Sequence, residues 1–294
     1  MARLRFDLQS HSMHSDGALP AAEVVERAAD SGVELLALSD HDTVSGVSEA
    51  LAAGERAGVR IAPAVEISAV DDGARVRREL HILGYNIDHT GAVLTERLTA
   101  FLADRERRTM RMAAALRELG FELDETELAA RVAGGQPIGR PHLAEAALRS
   151  PANASRLAEE GIDEIGSFIR AYLAEGRPAF RLRETPTVAQ AVDAIHEAGG
   201  LAIWAHPFWD LSEPGEVLES IDRFRALGLD GVEVFYITHT REQTELLAGR
   251  CVALGLLSTG SSDFHGPENR LFSRFLAFET YDLEPNLGPI ASER

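Results

Sequence analysis

The sequence contains no lysine. All 29 basic residues are arginines, set against 47 acids, for a net charge of −18. A lysine Schiff base, a lysine general base and a carbamylated-lysine metal bridge are therefore excluded. The acidic excess argues against indiscriminate attraction to long duplex nucleic acid or to an anionic membrane. One cysteine, Cys251, leaves no partner for an internal disulfide and no basis for a thiolate metal cluster. No apolar run approaches the roughly 18 residues of a membrane-spanning helix. The start, Met-Ala-Arg-Leu-Arg, leads straight into a strand-like segment without the pattern of a signal peptide. The expectation is a cytoplasmic protein.

Against those absences stands one dense stretch, Phe6 to Gly17, reading Phe-Asp-Leu-Gln-Ser-His-Ser-Met-His-Ser-Asp-Gly. A short alternating strand breaks into a turn that carries Asp7, Gln9, His11, His14 and Asp16. Four later apolar runs end the same way: in Asp40-His41-Asp42, in Glu66, in His206, and in Asp263-Phe264-His265. A further run, Arg78 to Tyr85, carries His81 near its middle. Strands that repeatedly deliver imidazoles and carboxylates at their C-terminal ends describe the top face of an α/β barrel.

Strand-like and helix-like segments alternate from Arg3 to Tyr85 and again from Thr187 to Gly260. Phe275–Phe278 reads as a closing strand. From about Gly91 to Thr185 the pattern is almost wholly helical, with breaks at Gly120, Gly134-Gly135, Ser150-Pro151 and Gly176-Arg177-Pro178. The expected domains are a barrel from residues 1–97 and 186–294 and a helical insertion over 98–185. Charge separates them: the insertion holds 13 arginines and 14 acids, the remainder 16 arginines and 33 acids. Arg105, Arg107, Arg108 and Arg111 cluster in the insertion, the pattern of a solvated helix face. Gly139-Arg140-Pro141-His142 is more specific, because it begins a helix, where backbone N–H groups favour an anion.

Glu66 lies inside the apolar strand Ile61–Ile67: either the strand is an edge with Glu66 facing water, or the glutamate is buried and needs partners. Asp42 or Thr43 would cap the following helix, which leaves His41 and Asp40 to explain. Taken singly, His81 and His206 are ordinary half-buried histidines. Asp263 and His265, two apart in a bent loop, can aim at one centre. His89, His196 and His239 lie in a turn, on a helix and in a loop without such company. His14 sits beside the dense stretch, its role open between support of a ligand and contact with substrate. Together these runs bring only nitrogen and oxygen donors to one rim, a set that suits Zn, Mn or Fe. Several such groups around a shared glutamate suit a multinuclear site that activates water for phosphoryl transfer.

The stretches D-L-Q-S-H-S-M-H-S-D-G, L-S-D-H-D-T, V-E-I, H-I-L-G-Y, A-H-P and S-S-D-F-H-G, in that order, resemble the polymerase and histidinol phosphatase (PHP) superfamily. The resemblance covers residues 6–90 and 186–266. The insertion with its G-R-P-H is similar to that of the small stand-alone PHP phosphoesterases that act on nucleoside 3′,5′-bisphosphates, related nucleotides and RNA 5′ ends. It implies an α/β fold, a distorted (β/α)7 barrel with a mostly helical inserted domain that caps the substrate.

The resemblance further implies two to three divalent metal ions, Mn, Fe or Zn. His11, Glu66 and Asp263 would hold one. Glu66, His81 and His206 would hold a second, and Asp16, His41 and His265 a third. Glu66, His206 and Asp263 would carry the catalysis, and Arg140, His142, Arg177 and Arg270 would contact substrate. The family usually shows D-L-H-x-H where this chain has Gln9. A neutral carbonyl oxygen is a poorer ligand than imidazole, so the first site is expected to be weaker or shifted towards harder ions such as Mn.

The expected activity is hydrolysis of a phosphate monoester of a small nucleotide by metal-activated water. The rivals are a histidinol-phosphate phosphatase, an amidohydrolase cleaving C–N bonds, and a non-catalytic PHP scaffold stabilised by metal. Gly-Arg-Pro-His favours a nucleotide over histidinol phosphate. The absence of lysine removes the carbamylated bridge common in amidohydrolases, and the near-complete ligand set speaks against a scaffold. Oligomeric state is not legible, since apolar insertion helices can dock on the barrel or on a second copy.

Overall fold

The computed structural model describes residues 5–134, 136 and 138–292. The strand start expected at Arg3 and the Gly135 half of the Gly-Gly break lie outside them. The strands are β1 (Phe6–Asp7), β2 (Leu35–Leu38), β3 (Arg60–Asp71), β4 (Arg78–Tyr85), β5 (Leu201–Trp204), β6 (Gly231–Tyr236) and β7 (Leu257–Ser261). They form one seven-stranded sheet in sequence order. Leu8 N donates to Gly260 O at 3.1 Å and Ser10 bridges Phe264, so the first and last strands meet and the sheet is nearly closed into a barrel.

Every neighbouring pair is parallel except those made by β4, which runs antiparallel to both β3 and β5. That reversal explains why His81 stands early in its strand. The N-terminal half of β4 lies at the rim where the other strands end, and His81 pairs with Ser68 there.

The described helices are α1 (Ala21–Asp30), α2 (Val47–Ala57), α3 (Ala92–Glu118), α4 (Thr126–Ala133), α5 (Arg140–Arg149), α6 (Ala154–Glu159), α7 (Ile165–Phe168), α8 (Val188–Glu197), α9 (Pro207–Asp210), α10 (Pro214–Ala226) and α11 (Arg241–Leu254). None is long and apolar enough to cross a membrane. On α1 the buried residues Ala21, Val24, Val25 and Ala28 recur at helical spacing and face the sheet. Thr187 with Gln190 and Thr240 with Gln243 form capping boxes that start α8 and α11.

Strand alternation aims the rim residues. Leu35 and Ala37 of β2, Ala62 and Ala64 of β3, and Leu83 and Tyr85 of β4 share the core inside the barrel. Leu36 and Leu38, of the opposite parity, pack with α1 and α2 outside it. Continuing the inward parity along each strand reaches His41 after β2, Glu66 in β3 and His81 in β4.

Two expectations fail locally. Phe275–Phe278 is not a strand, because Leu276 N donates to Asp7 Oδ2 (2.8 Å) and Ala277 N to Ser262 Oγ (2.7 Å). Side chains take the N–H groups that a ladder would need. Asp42 does not cap α2, whose N-cap is Gly46. With φ at 55°, Asp42 instead accepts from Ser68 N at 3.0 Å.

The chain divides into two compact units, one of residues up to Leu98 together with those from Pro186 on, the other Thr99–Thr185. The second has its own core, including Met112, Leu116, Phe121, Leu143, Phe168 and Tyr172. Of the arginine cluster expected on a solvated face, Arg105 and Arg108 are buried. Their Nε atoms donate to the carbonyls of Ile138 (3.3 Å) and Arg181 (2.7 Å). Arg107 and Arg111 pair with Asp104 (3.3 Å) and Glu184 (3.1 Å).

Candidate metal centre

Glu66 is fully buried, and its two oxygens face different histidines. Oε1 lies 2.7 Å from His81 Nδ1 and 3.3 Å from His206 Nε2. Oε2 lies 3.0 Å from His11 Nε2 and 3.6 Å from His41 Nδ1. His11 Nε2 is also 3.1 Å from Asp263 Oδ1. Asp16 reaches His41 Nε2 at 3.7 Å and His265 Nε2 at 3.6 Å. The imidazoles form an unbroken chain, His265–His11–His41–His81–His206, with ring centroids 4.3 to 5.2 Å apart. Gln9 donates from Nε2 to Glu66 Oε2 at 2.9 Å, and its carbonyl oxygen lies 3.3 Å from Ser261 Oγ.

The backbone is bent to reach this arrangement. Asp42, His206 and Asp263 have φ of 55°, 29° and 53°, a region that non-glycine residues avoid and that recurs at functional sites. His206 is out of phase with the inward-facing Ile203 and Ala205, and the left-handed turn swings its ring onto Glu66. Asp40 pins the first loop: it accepts from Ser12 N (2.8 Å), Ser12 Oγ (2.7 Å) and Ser15 Oγ (2.6 Å). A Cβ on Gly17 would collide with the carbonyl of His11, so the loop closes only with glycine there.

Burial alone would raise the pKa of Glu66, but the charges of His41 and His81 and the close rings of His11 and His206 hold it well below the usual carboxylate range. Burial likewise works against Asp263, and His265 and His11 hold it down. The histidines respond in kind. Burial disfavours their cations, yet Asp263 and Glu66 lift His11 well above its usual value, and Glu66 and Asp210 lift His206 to about 10. Two buried carboxylates thus demand positive charge, which protons on imidazole supply when nothing else does.

Residues 7–134 match the PHP domain. The chain is 34% identical over 264 residues to a 5′-3′ exoribonuclease of Haemophilus influenzae, across 90% of each protein. It is 33% identical over 291 residues to a 3′,5′-nucleoside bisphosphate phosphatase of Chromobacterium violaceum, across 98% of this chain and 95% of that one. This chain belongs to the PHP family. A solved structure titled as a metal-dependent phosphoesterase of Bifidobacterium adolescentis superposes with a TM-score of 0.76 at 28% identity, covering 92% of this chain and 91% of that one. The PHP protein described here is, in class, a metal-dependent phosphoesterase and a hydrolase.

Its residues fit divalent cations. Histidine nitrogens and carboxylate oxygens converge within 4.8 Å in three sets: His11, Asp16 and His41; His11, Asp263 and His265; His41, Glu66 and His81. His11 Nε2 and Asp263 Oδ1 are buried and close, yet neither makes a well-directed hydrogen bond. Such a pair suits a shared cation.

In this PHP protein eight of the sequence-predicted ligands come together: His11, Asp16, His41, Glu66, His81, His206, Asp263 and His265. Gln9 joins them through Glu66. Of the predicted substrate contacts, Arg270 lies on an exposed turn after His265, while Arg140, His142 and Arg177 belong to the second unit. Arg140 opens α5, and His142 Nδ1 accepts from Gly139 N at 3.1 Å, capping its own helix. His14 lies 3.9 Å from Glu49, outside the histidine chain.

Glu233 and Tyr236, both on β6, are additions the sequence reading lacks. Glu233 is fully buried, accepts from His206 N (2.9 Å) and Ser261 Oγ (2.7 Å), and is pushed up to about 8 by burial. Tyr236 donates its hydroxyl to Asp263 Oδ2 at 2.8 Å. Glu233 carries the same signal as Glu66, an acid inside an apolar strand.

Proposed function

We propose that this PHP phosphoesterase hydrolyses a phosphate monoester of a small nucleotide, a nucleoside 3′,5′-bisphosphate or monophosphate, using two to three divalent ions, Mn, Fe or Zn. The observation that carries the reading is Glu66, a buried carboxylate whose two oxygens each face a separate pair of histidines. A carboxylate shared in this way would help to hold two ions. His11 and Asp263 complete one side, His81 and His206 the other, and Asp16, His41 and His265 make a third set.

Divalent ions held there supply Lewis acidity and lower the pKa of water towards neutrality. The chain's own residues then hold the geometry. Gln9 fixes one oxygen of Glu66, Tyr236 fixes Asp263, and Glu233 holds the backbone of His206. His206 lies 3.3 Å from Glu66 through one ring nitrogen and 3.8 Å from Asp210 through the other, so Asp210 would orient the ring towards the ion it shares with Glu66 and His81. In this reading Arg140, His142, Arg177 and Arg270 offset phosphate charge. The net charge of −18 favours a short ligand over long duplex nucleic acid, and the reading keeps the enzyme in the cytoplasm. Similarity to an exoribonuclease adds RNA 5′ ends as a second substrate class.

The test is phosphate release with added Mn²⁺ from adenosine 3′,5′-bisphosphate, AMP, a short 5′-phosphorylated RNA and histidinol phosphate. Preferential turnover of the bisphosphate, abolished by Glu66→Ala and by His206→Ala, is the expected result. Turnover of histidinol phosphate alone, or silence on all four by metal-loaded protein, overturns the nucleotide reading.

A further inference from the structure

One exposed aromatic surface borders the candidate metal centre and takes no part in holding its ligands. Trp209 is 53% exposed, and Leu271, the neighbour of Phe272 in the chain, is 41% exposed, although apolar surface is costly to leave in water. Trp209 lies 5.7 Å, ring to ring, from Phe272. Beneath the pair sits Tyr236, 6.5 Å from Trp209 and 6.3 Å from Phe272. Tyr236 in turn stacks near His206 (5.2 Å) and bonds Asp263, while Phe272 lies 5.4 Å from His265. The surface is therefore one ring away from three of the residues proposed to hold metal.

Both outer rings stand on pinned backbone. Trp209 N donates to His206 O (2.8 Å) and Leu211 N to Pro207 O (3.1 Å), closing the single turn of α9 directly behind His206. Asn269 Oδ1 accepts from Leu271 N and Phe272 N, both at 3.0 Å, and Phe272 O accepts from His265 N at 2.9 Å. The backbone that carries both rings is thus hydrogen-bonded without a ligand, so the main chain has little order left to gain on binding. A nucleobase is the ligand part that an exposed indole beside a phosphate-binding centre suits, because every base offers a π-face for stacking.

We infer that Trp209 and Phe272 form a stacking platform for the nucleobase of the substrate, set beside the metal centre that takes its phosphate. This rests on the nucleotide reading above and goes beyond it by assigning the residues that recognise the base. Arg270 lies on the same turn as Phe272, which places a cation next to the platform.

The test uses metal-loaded protein and two ligands, adenosine 3′,5′-bisphosphate and the base-less ribose 5-phosphate. Trp209→Ala raises KM for the nucleotide about tenfold with little change in kcat, leaves ribose 5-phosphate untouched, and is largely rescued by Trp209→Phe. Equal effects on both ligands, or none on the nucleotide, overturn the platform. A second readout needs no turnover. Trp204, the other tryptophan, is fully buried, so quenching of the exposed indole reports Trp209 alone. The nucleotide quenches wild type and ribose 5-phosphate does not. Quenching without nucleotide hydrolysis keeps the platform and sinks the nucleotide phosphatase; hydrolysis without quenching sinks the platform alone.

Discussion

Gln9 turns its amide nitrogen to Glu66, 2.9 Å from Oε2, and its carbonyl oxygen to the hydroxyl of Ser261. The residue that departs from the family pattern thus meets the central carboxylate as a hydrogen-bond donor. Held from behind by Ser261, which bonds Glu233, it orients Glu66.

Gln9→Ala therefore weakens metal binding without deleting a site. A partner outside the ligand sphere typically contributes about 10- to 100-fold in affinity. Competition with a chelator reads the loss, and metal content at saturation stays at the wild-type number. A fall in that number identifies Gln9 as a ligand instead.

Glu233 gives a stability prediction. Glu233→Gln keeps an acceptor for His206 N and donates to Ser261 Oγ, so urea denaturation of metal-free protein shifts by less than about 1 kcal/mol. Glu233→Leu strands the buried N–H of His206 and costs about 1–3 kcal/mol. Equal stability of the two variants contradicts this.

The buried acids and bases predict a pH dependence for chelator-treated protein. Above pH 6.5, His239, pushed down to about 4 by burial, is neutral in the fold, and its proton in the unfolded chain is lost within about one unit of 6.5. Over the same range Glu66 and Asp263, held low, are ionised in both states. His206, raised from 6.5 to about 10, keeps its proton in the fold and releases it on unfolding. Asp7, raised to about 7, and Glu233, raised to about 8, act with the same sign. The folded state thus binds more protons than the unfolded chain, and stability falls as pH rises from 6.5 to 10. Thermal unfolding across that range reads it. Added divalent metal displaces protons and steepens in affinity with pH.

The rim was legible because strand parity is regular. Inward Leu35 and Ala37 lead to His41, and Ala62 and Ala64 to Glu66. His206 was legible as a residue but not in its aim, which depends on a strained φ. The reversal of β4 shows in sequence only as a histidine near the middle of its run and not at its C-terminal end. Glu233 bears the signal of Glu66, but no rim motif follows it. The false strand at Phe275–Phe278 fails because its N–H groups go to Asp7 and Ser262, partners remote in the chain. Arg105 and Arg108 are buried for a similar reason, since the carbonyls they bond lie far along the sequence.

In the proposed function Glu66 would hold two ions, and hydrolysis needs both. The measurement is phosphate release from adenosine 3′,5′-bisphosphate while metal-free protein is titrated with Mn²⁺, with bound metal counted at each point. Activity that appears only as the second equivalent binds, and a Glu66→Ala protein that stays folded but inactive with fewer ions, is the predicted result. Full activity in metal-free protein, or in Glu66→Ala, contradicts it.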